Sequence, residues 1–260
     1  MTAVLLFQLQ APMAAFGSVA PGERRETLES PGHAALAGCL AAALGLERID
    51  PRLERFSAAL AFAVRVDQLG PMVADYHTAE VPKARRDQTW LTRREELARK
   101  GNTILSRRDY RFSCAYTVAA MIRMPAQEPD IAPLLDLSAL VAALKAPKFT
   151  LYLGRKSCPL GAPPLPVIAE APRSLHDALA EYDRSRAGHP CDFRTPVDLG
   201  LFADDAFIEA GLLDVGNMTR RIERRDVLLS RRAWRFDRRS VAVFPIGTAN
   251  AAAPAGENRQ

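Results

Sequence analysis

Three stretches of the sequence combine residue types able to hold, or act on, a polyanion. The longest, Asp75–Arg111, carries ten basic residues (Lys83, Arg85, Arg86, Arg93, Arg94, Arg99, Lys100, Arg107, Arg108 and Arg111), with Asp87, Glu95, Glu96 and Asp109 among them. Tyr76, His77, Trp90 and Tyr110 are interleaved with these charges. Closely spaced cations neutralise phosphates, and aromatic rings offer faces on which unpaired bases stack. A connection of about 35 residues is also longer than a hairpin needs, which favours a functional insertion over a plain solvated loop. In the second stretch, Arg220, Arg221, Arg224, Arg225, Arg231, Arg232, Arg235, Arg238 and Arg239 surround Trp234. An RNA surface and a protein-docking surface fit that pattern equally. The third, Thr150–Leu160, places Arg155, Lys156 and Ser157 directly after Gly154. A glycine at a strand end lets backbone N–H groups approach an anion, and the three side chains add donors. It lacks the two-glycine spacing of a nucleotide P-loop.

Catalytic constellations are sparse. His33, His77, His176 and His189 show no metal-ligand spacing, no paired-carboxylate motif occurs, and no metal or other cofactor is expected. One group is suited to chemistry: Asp75-Tyr76-His77-Thr78 with Lys83 nearby. There Tyr76 or His77 would deprotonate a ribose 2′-hydroxyl while Lys83 steadies the cleaved phosphate. Stacking on RNA, or hydrogen bonding to it, suits Tyr76 and His77 as well and is the simpler reading.

The elements that must position these groups follow from periodicity and punctuation. Val4–Gln10 alternates as an opening strand with Leu5, Phe7 and Leu9 on one face. A loop rich in Gly and Pro follows and carries Arg24 and Arg25. Ser30 as N-cap and Pro31 at the first helical position then predict a helix to Leu44, closed by Gly45. Leu60–Gln68 alternates again, with Phe62, Val64 and Val66 inward and Arg65 and Asp67 outward. Arg111–Ala119 is a strand with Phe112, Cys114, Tyr116 and Val118 on one face. A helix from Asp130 carries Leu134, Leu137, Leu140, Val141 and Leu144, and Phe149–Leu153 resumes as a strand. Strand, helix, strand, strand, helix, strand is the split pattern of a ferredoxin-like sheet. Val227–Leu229 and Ser240–Ile246 read as later strands, and the Pro-rich stretch Pro159–Pro172 as the boundary before them.

The chain has 260 residues, 48% hydrophobic and 25% charged, which excludes a fibrous or disordered polymer. Residues 157–219 hold four basic against ten acidic side chains, so the net charge of +5 conceals a strongly basic remainder. Such segregation predicts one face turned to a polyanion and a separate acidic flank. Arginine greatly outnumbers lysine. That bias favours nucleic acid over a diffuse membrane contact, although a GC-rich genome would also produce it. The four cysteines, Cys39, Cys114, Cys158 and Cys191, form no CxxC pair, which argues against a zinc cage or a disulfide framework. No run is apolar enough to span a bilayer and no export leader is seen, so a cytoplasmic protein is expected.

These pieces, in this order, resemble the Cas family five subunits of Cascade, the type I-E CRISPR surveillance complex. The resemblance is carried by Gln10-Ala-Pro-Met-Ala-Ala-Phe-Gly17, Ser30-Pro31 into the helix ending Ala43-Leu-Gly45, Phe62-Ala-Val-Arg-Val-Asp67, and Asp75-Tyr-His-Thr78. It continues through Phe149-Thr-Leu-Tyr-Leu-Gly-Arg-Lys-Ser-Cys-Pro-Leu160 and Ser230–Trp234, while residues 161–225 match nothing in the family pattern. It implies an α+β fold. Residues 1–158 would form a ferredoxin-like or RRM-like RNA-binding domain with a thumb at about 75–110. A smaller β-rich segment over 159–246 and a disordered tail over 247–260 would follow. Family members grip the 5′ handle of the mature crRNA and cap the backbone filament, beside the backbone subunit CasC and the large subunit CasA, meeting target DNA only indirectly. The RNA-binding residues implied here are Met13, Phe16, Arg24, Arg25, Tyr76, His77, Lys83, Arg85, Arg86, Trp90, Arg107, Arg108, Tyr152, Arg155, Lys156 and Ser157. Subtype I-E members are regarded as non-catalytic. In subtype I-C the homologous subunit cuts precursor crRNA with a Tyr/Lys/His-type site, which keeps Tyr76, His77 and Lys83 as an alternative endoribonuclease centre.

Overall fold

In a computed structural model the chain is described over residues 2–17, 20, 22–81, 89–98, 101–123, 129–189 and 200–245. Lys83, Arg85, Arg86, Cys191 and the tail from Gly247 lie outside these residues. The elements in chain order are β1 (Val4–Ala14), β2 (Arg24–Arg25), α1 (His33–Leu44), α2 (Leu53–Ala58), β3 (Leu60–Gln68), β4 (Met72–Val81) and α3 (Arg93–Leu97). They continue with β5 (Asn102–Ile122), α4 (Leu137–Lys145), β6 (Val167–Ala169), α5 (Leu175–Arg186), β7 (Leu201–Ala203), α6 (Ala206–Glu209), β8 (Arg220–Ser230) and β9 (Arg235–Phe244). All nine strands join one sheet, in the order β6-β1-β5-β3-β7-β9-β8, with β2 and β4 added along β5. Every pairing is antiparallel except the short β2–β5 contact.

The predicted alternation in β1, β3 and β5 is present. Leu5, Phe7, Leu9, Phe62, Val64, Val66, Cys114, Tyr116 and Val118 share one core with α1, α2 and α4. A fully buried Leu or Phe side chain contributes about 1.5–3 kcal/mol, so this layer dominates the stability. The polar-out half of the prediction fails, because the other face is covered too. There Val4, Leu6, Ala61, Ala63, Ala119 and Met121 meet Leu175, Leu179 and Tyr182 of α5. Arg65 and Asp67 are therefore buried rather than solvated. Arg65 donates to Asp67 (2.6 Å) and, through both terminal nitrogens, to Asp183 of α5 (2.7 and 2.8 Å). Arg186 completes the network on Asp183 (2.9 Å) and Gln8 (2.7 Å). Burial pushes the Asp67 carboxyl up, and the Arg65 charge and the Thr117 hydroxyl only partly reverse this.

Three local expectations are corrected. The α1 helix starts two residues late, at His33, with Gly32 rather than Ser30 in the N-cap position and no side-chain cap of its own. Asp226 of β8 instead accepts the His33 N–H (2.8 Å), and a Cβ on Gly32 would sit 2.5 Å from that carboxylate. Ser30 is buried beneath the Arg224 guanidinium (2.8 Å). The expected Asp130 helix is interrupted: a 3-10 turn at Ala132–Leu135 precedes α4, whose first N–H groups bond the Asp136 carboxylate. Finally, Phe149–Leu153 is no strand. The Lys148 and Phe149 N–H groups bond the carbonyls of Ala43 and Ala42 near the end of α1, and it is Val167–Ala169 that pairs with β1. That strand lies inside the Pro-rich stretch read as a boundary, and β7, β8 and β9 extend the same sheet beyond it.

The polar insertion is an arm. β5 runs 21 residues, first beside β4 from Asn102 to Arg111 and then as a central strand beside β1 and β3. The arm is therefore continuous with the core through one strand. No helix among the described residues is long and apolar enough to cross a membrane.

Candidate nucleic-acid interface

Where the arm leaves the sheet, three strands bring cations together. Arg24 and Arg25 of β2 stand opposite Arg107 and Arg108 of β5, and β4 places Asp75 and Tyr76 opposite Arg108 and Arg107. Beneath them Asp109 is fully buried and receives Arg24 (3.4 Å) and Arg107 (3.7 Å). Two guanidiniums thus share one buried carboxylate, and Glu26 at the surface pairs with Arg24 as well (3.3 Å). Arg108 makes no ion pair among the described residues. Tyr76 is 64% exposed on the same ribbon.

The Thr150–Leu160 segment docks against this base. Gly154 has φ +85°, and a Cβ there would lie 2.0 Å from the Ala15 carbonyl oxygen, so only glycine closes the turn onto β1. The turn presents Arg155, whose guanidinium lies 4.6 Å from the Tyr110 ring centroid and donates to the carbonyls of Asp109 (3.3 Å) and Arg25 (3.2 Å). Arg155 is thus a brace that positions the neighbouring cations, and Lys156 and Ser157 beside it are exposed. Arg25 is also partly engaged, donating to the carbonyls of Gly22 (2.5 Å) and Ala20 (3.1 Å).

Other expected residues are elsewhere. Phe16 is buried, edge-on to Tyr116 at 5.6 Å, and is a core residue rather than a stacking platform. Met13 packs half-buried on the same core. Trp90 lies in the outer part of the arm, just ahead of α3, whose cap is Thr92. Tyr76 and His77 are adjacent on a strand, so they point to opposite faces and cannot converge on one phosphate. His77 Nε2 instead lies 2.5 Å from Asp75 Oδ2, on its own face. Among the described residues no cluster of His, Cys, Asp and Glu has metal-site geometry. Cys39, Cys114 and Cys158 are buried free thiols, and burial pushes Cys39 up to about 12.

Sequence reasoning missed Asp109 and Tyr110 as the parts that organise the base. Their signal was present: Arg107 and Asp109 two apart on a strand share a face. The second basic cluster divides once folded. Arg224 lies against Ser30 and the Phe202 ring, Arg239 joins Asp226 and Asp204, and Arg221 meets Asp205. These three fasten the β8–β9 hairpin to its neighbours. Burial alone raises the Asp204 carboxyl, but His33, Arg239 and the Phe62 N–H together hold it below the usual carboxylate range.

The family model described as CRISPR-associated protein (Cas_Cas5) matches residues 4–242. The chain belongs to the Cas5 family. It is 33% identical over 166 residues to the CRISPR system Cascade subunit CasD of Escherichia coli (strain K12), covering 63% of this chain and 70% of that protein. A solved structure described as a Cas protein aligns with TM-score 0.54 and 27% identity over 94% of both chains. A chain of a CRISPR RNA-guided surveillance complex aligns with TM-score 0.56 and 24% identity, over 93% of this chain and 89% of that one, and shares the fold. The Cas5 match includes β6 to β8, a region where the sequence alone offered no resemblance.

Proposed function

We propose that this Cas5 chain is a non-catalytic RNA-binding subunit of a type I-E Cascade. In this reading it grips the 5′ handle of the crRNA at the arm base and caps the backbone filament. The observation that carries it is Arg24 and Arg107 on one face of adjacent strands, sharing the buried carboxylate of Asp109, with Arg108 on the opposite face and without an ion pair among the described residues. A surface of guanidinium forks with too few carboxylates attracts phosphate, and the exposed Tyr76 ring beside it suits an unpaired base. Single-stranded RNA can splay its bases and offer 2′-hydroxyls to such a surface. A guide complex leaves target reading to base pairing, so this subunit needs to hold backbone and shape only. Likeness to CasD supports the assembly, with CasC and CasA as neighbours, target DNA reached through the complex, and the cytoplasm as its location. Strands β1, β3, β5 and β6 with α1 and α4 are read as the ferredoxin-like, RRM-like unit, and the arm as its thumb. Lys83, Arg85, Arg86, Trp90, Lys156 and Ser157 would extend the grip.

The test is binding of a handle-sequence RNA to the full chain across a salt series. Replacing Arg24, Arg107 and Arg108 by Gln should flatten the log–log salt dependence by about 2, at about 0.7 for each phosphate no longer neutralised. An unchanged slope and affinity would refute the assignment. Incubation with a labelled repeat hairpin in EDTA addresses the non-catalytic part: specific cutting that His77→Ala abolishes would overturn it.

A further inference from the structure

The tip of the β8–β9 hairpin carries a second cationic group that the arm-base reading does not use. Trp234 is 56% exposed, and two guanidiniums lie over its ring: Arg231 at 4.4 Å and Arg48, from the loop after α1, at 4.8 Å from the centroid. Phe236 holds the indole from its edge at 5.5 Å. Stacking orients a guanidinium flat on the ring and leaves its N–H edge free to meet an anion in forked geometry. Neither Arg48 nor Arg231 has a carboxylate partner among the described residues. The nearby Glu54 carboxylate accepts the Arg231 backbone N–H instead (2.9 Å). Two like charges are thus held on one ring. Burial first, and then the Arg48 charge, pull Arg231 below the ordinary guanidinium range.

The backbone is strained to achieve this. Trp234 has φ +53°, a region that bulky residues avoid, and such strain persists where the surrounding structure enforces it. The turn is fastened at both sides, by Glu54 of α2 and by the Ser230 hydroxyl, which accepts the Ala233 N–H (3.3 Å). Tyr152, 38% exposed and within electrostatic range of Arg231, belongs to the same Thr150–Leu160 segment that carries Arg155 to the arm base. One short loop therefore braces the arm base and lies within electrostatic range of the hairpin tip.

We propose that Arg48, Arg231 and Trp234 form a second RNA contact, in which the two stacked guanidiniums grip phosphodiesters of the strand held at the arm base. It rests on reading the chain as an RNA holder but on none of the arm-base residues, so the two can fail separately. The favoured ligand is single-stranded RNA rather than an acidic protein. The reason is the exposed aromatic of Tyr152, within electrostatic range of Arg231, which offers a base a stacking face.

The test uses the full chain and a single-stranded RNA long enough to reach both groups. Arg48→Gln with Arg231→Gln should weaken binding several-fold and flatten the salt dependence by about 1.4 beyond any arm-base variant. Arg48→Lys with Arg231→Lys should retain the slope and lose part of the affinity, because charge survives and the fork does not. Phenylglyoxal modification mapped by peptide mass spectrometry reads the wild-type chain directly: RNA should protect Arg48 and Arg231. If the wild type binds RNA, yet the Gln variant keeps its slope and neither arginine is protected, the proposal is overturned and the patch is left to a protein partner. If the wild type binds no RNA, both this proposal and the arm-base reading fail.

Discussion

The molecule uses arginine in two opposite ways in two regions of one sheet. On the α5 side, Arg65 and Arg186 are buried and face Asp67 and Asp183 in a shared network of hydrogen bonds. At the arm base, Arg24 and Arg107 share Asp109, and Arg108 has no partner among the described residues. The side chain is the same, so the difference lies in solvent and in the number of facing carboxylates. A buried guanidinium without a matching carboxylate would cost several kcal/mol, so α5 must supply Asp183. An exposed one keeps its hydration and can remain unsatisfied until a phosphate arrives. On the α5 side the charge is neutralised internally, whereas at the arm base some of it is left over.

The sharpest way to separate the two uses is Asp183→Ala. It leaves Arg65 and Arg186 with Asp67 as the remaining carboxylate and should cost about 3–5 kcal/mol in urea unfolding, while the folded chain binds RNA as before. Loss of RNA affinity without loss of stability would erase the distinction. Next comes Asp204→Asn, which weakens the charged hydrogen bonds from Arg239 and the Phe62 N–H and should cost about 2–3 kcal/mol at neutral pH. Because the folded carboxyl lies below its unfolded value of about 3.9, its contribution is present above that pH and disappears as pH falls through the folded value. The gap between variant and wild type should therefore narrow below about pH 4, as unfolding curves at several pH values would show.

Gly154→Ala tests the joint between fold and surface. A left-handed, crowded position costs at least about 1–2 kcal/mol with a Cβ, and the displaced turn carries Arg155 away from Tyr110. Thermal stability and RNA affinity should fall together. The smallest stability effect belongs to Arg108→Gln: unfolding should shift by no more than about 0.5 kcal/mol, while the salt slope of RNA binding falls by about 0.7. A large destabilisation by Arg108→Gln would place that arginine with the structural set.

Legible in the order of residues was whatever neighbours a few positions apart decide. Alternation in Leu60–Gln68 and Arg111–Ala119 located two central strands, Gly45 closed its helix in the left-handed conformation, and the basic insertion was recognisable as a separate part. Such features depend on local sterics and on which face of a strand is apolar. Folding in three dimensions settled everything that required a partner far along the chain. Asp226 caps α1 from 193 residues away, and Val167–Ala169 rather than Phe149–Leu153 pairs with β1. It also settled which arginines are internal and which are free. Thirty guanidiniums look alike in a string of letters, and only packing shows which of them face a carboxylate and which face water.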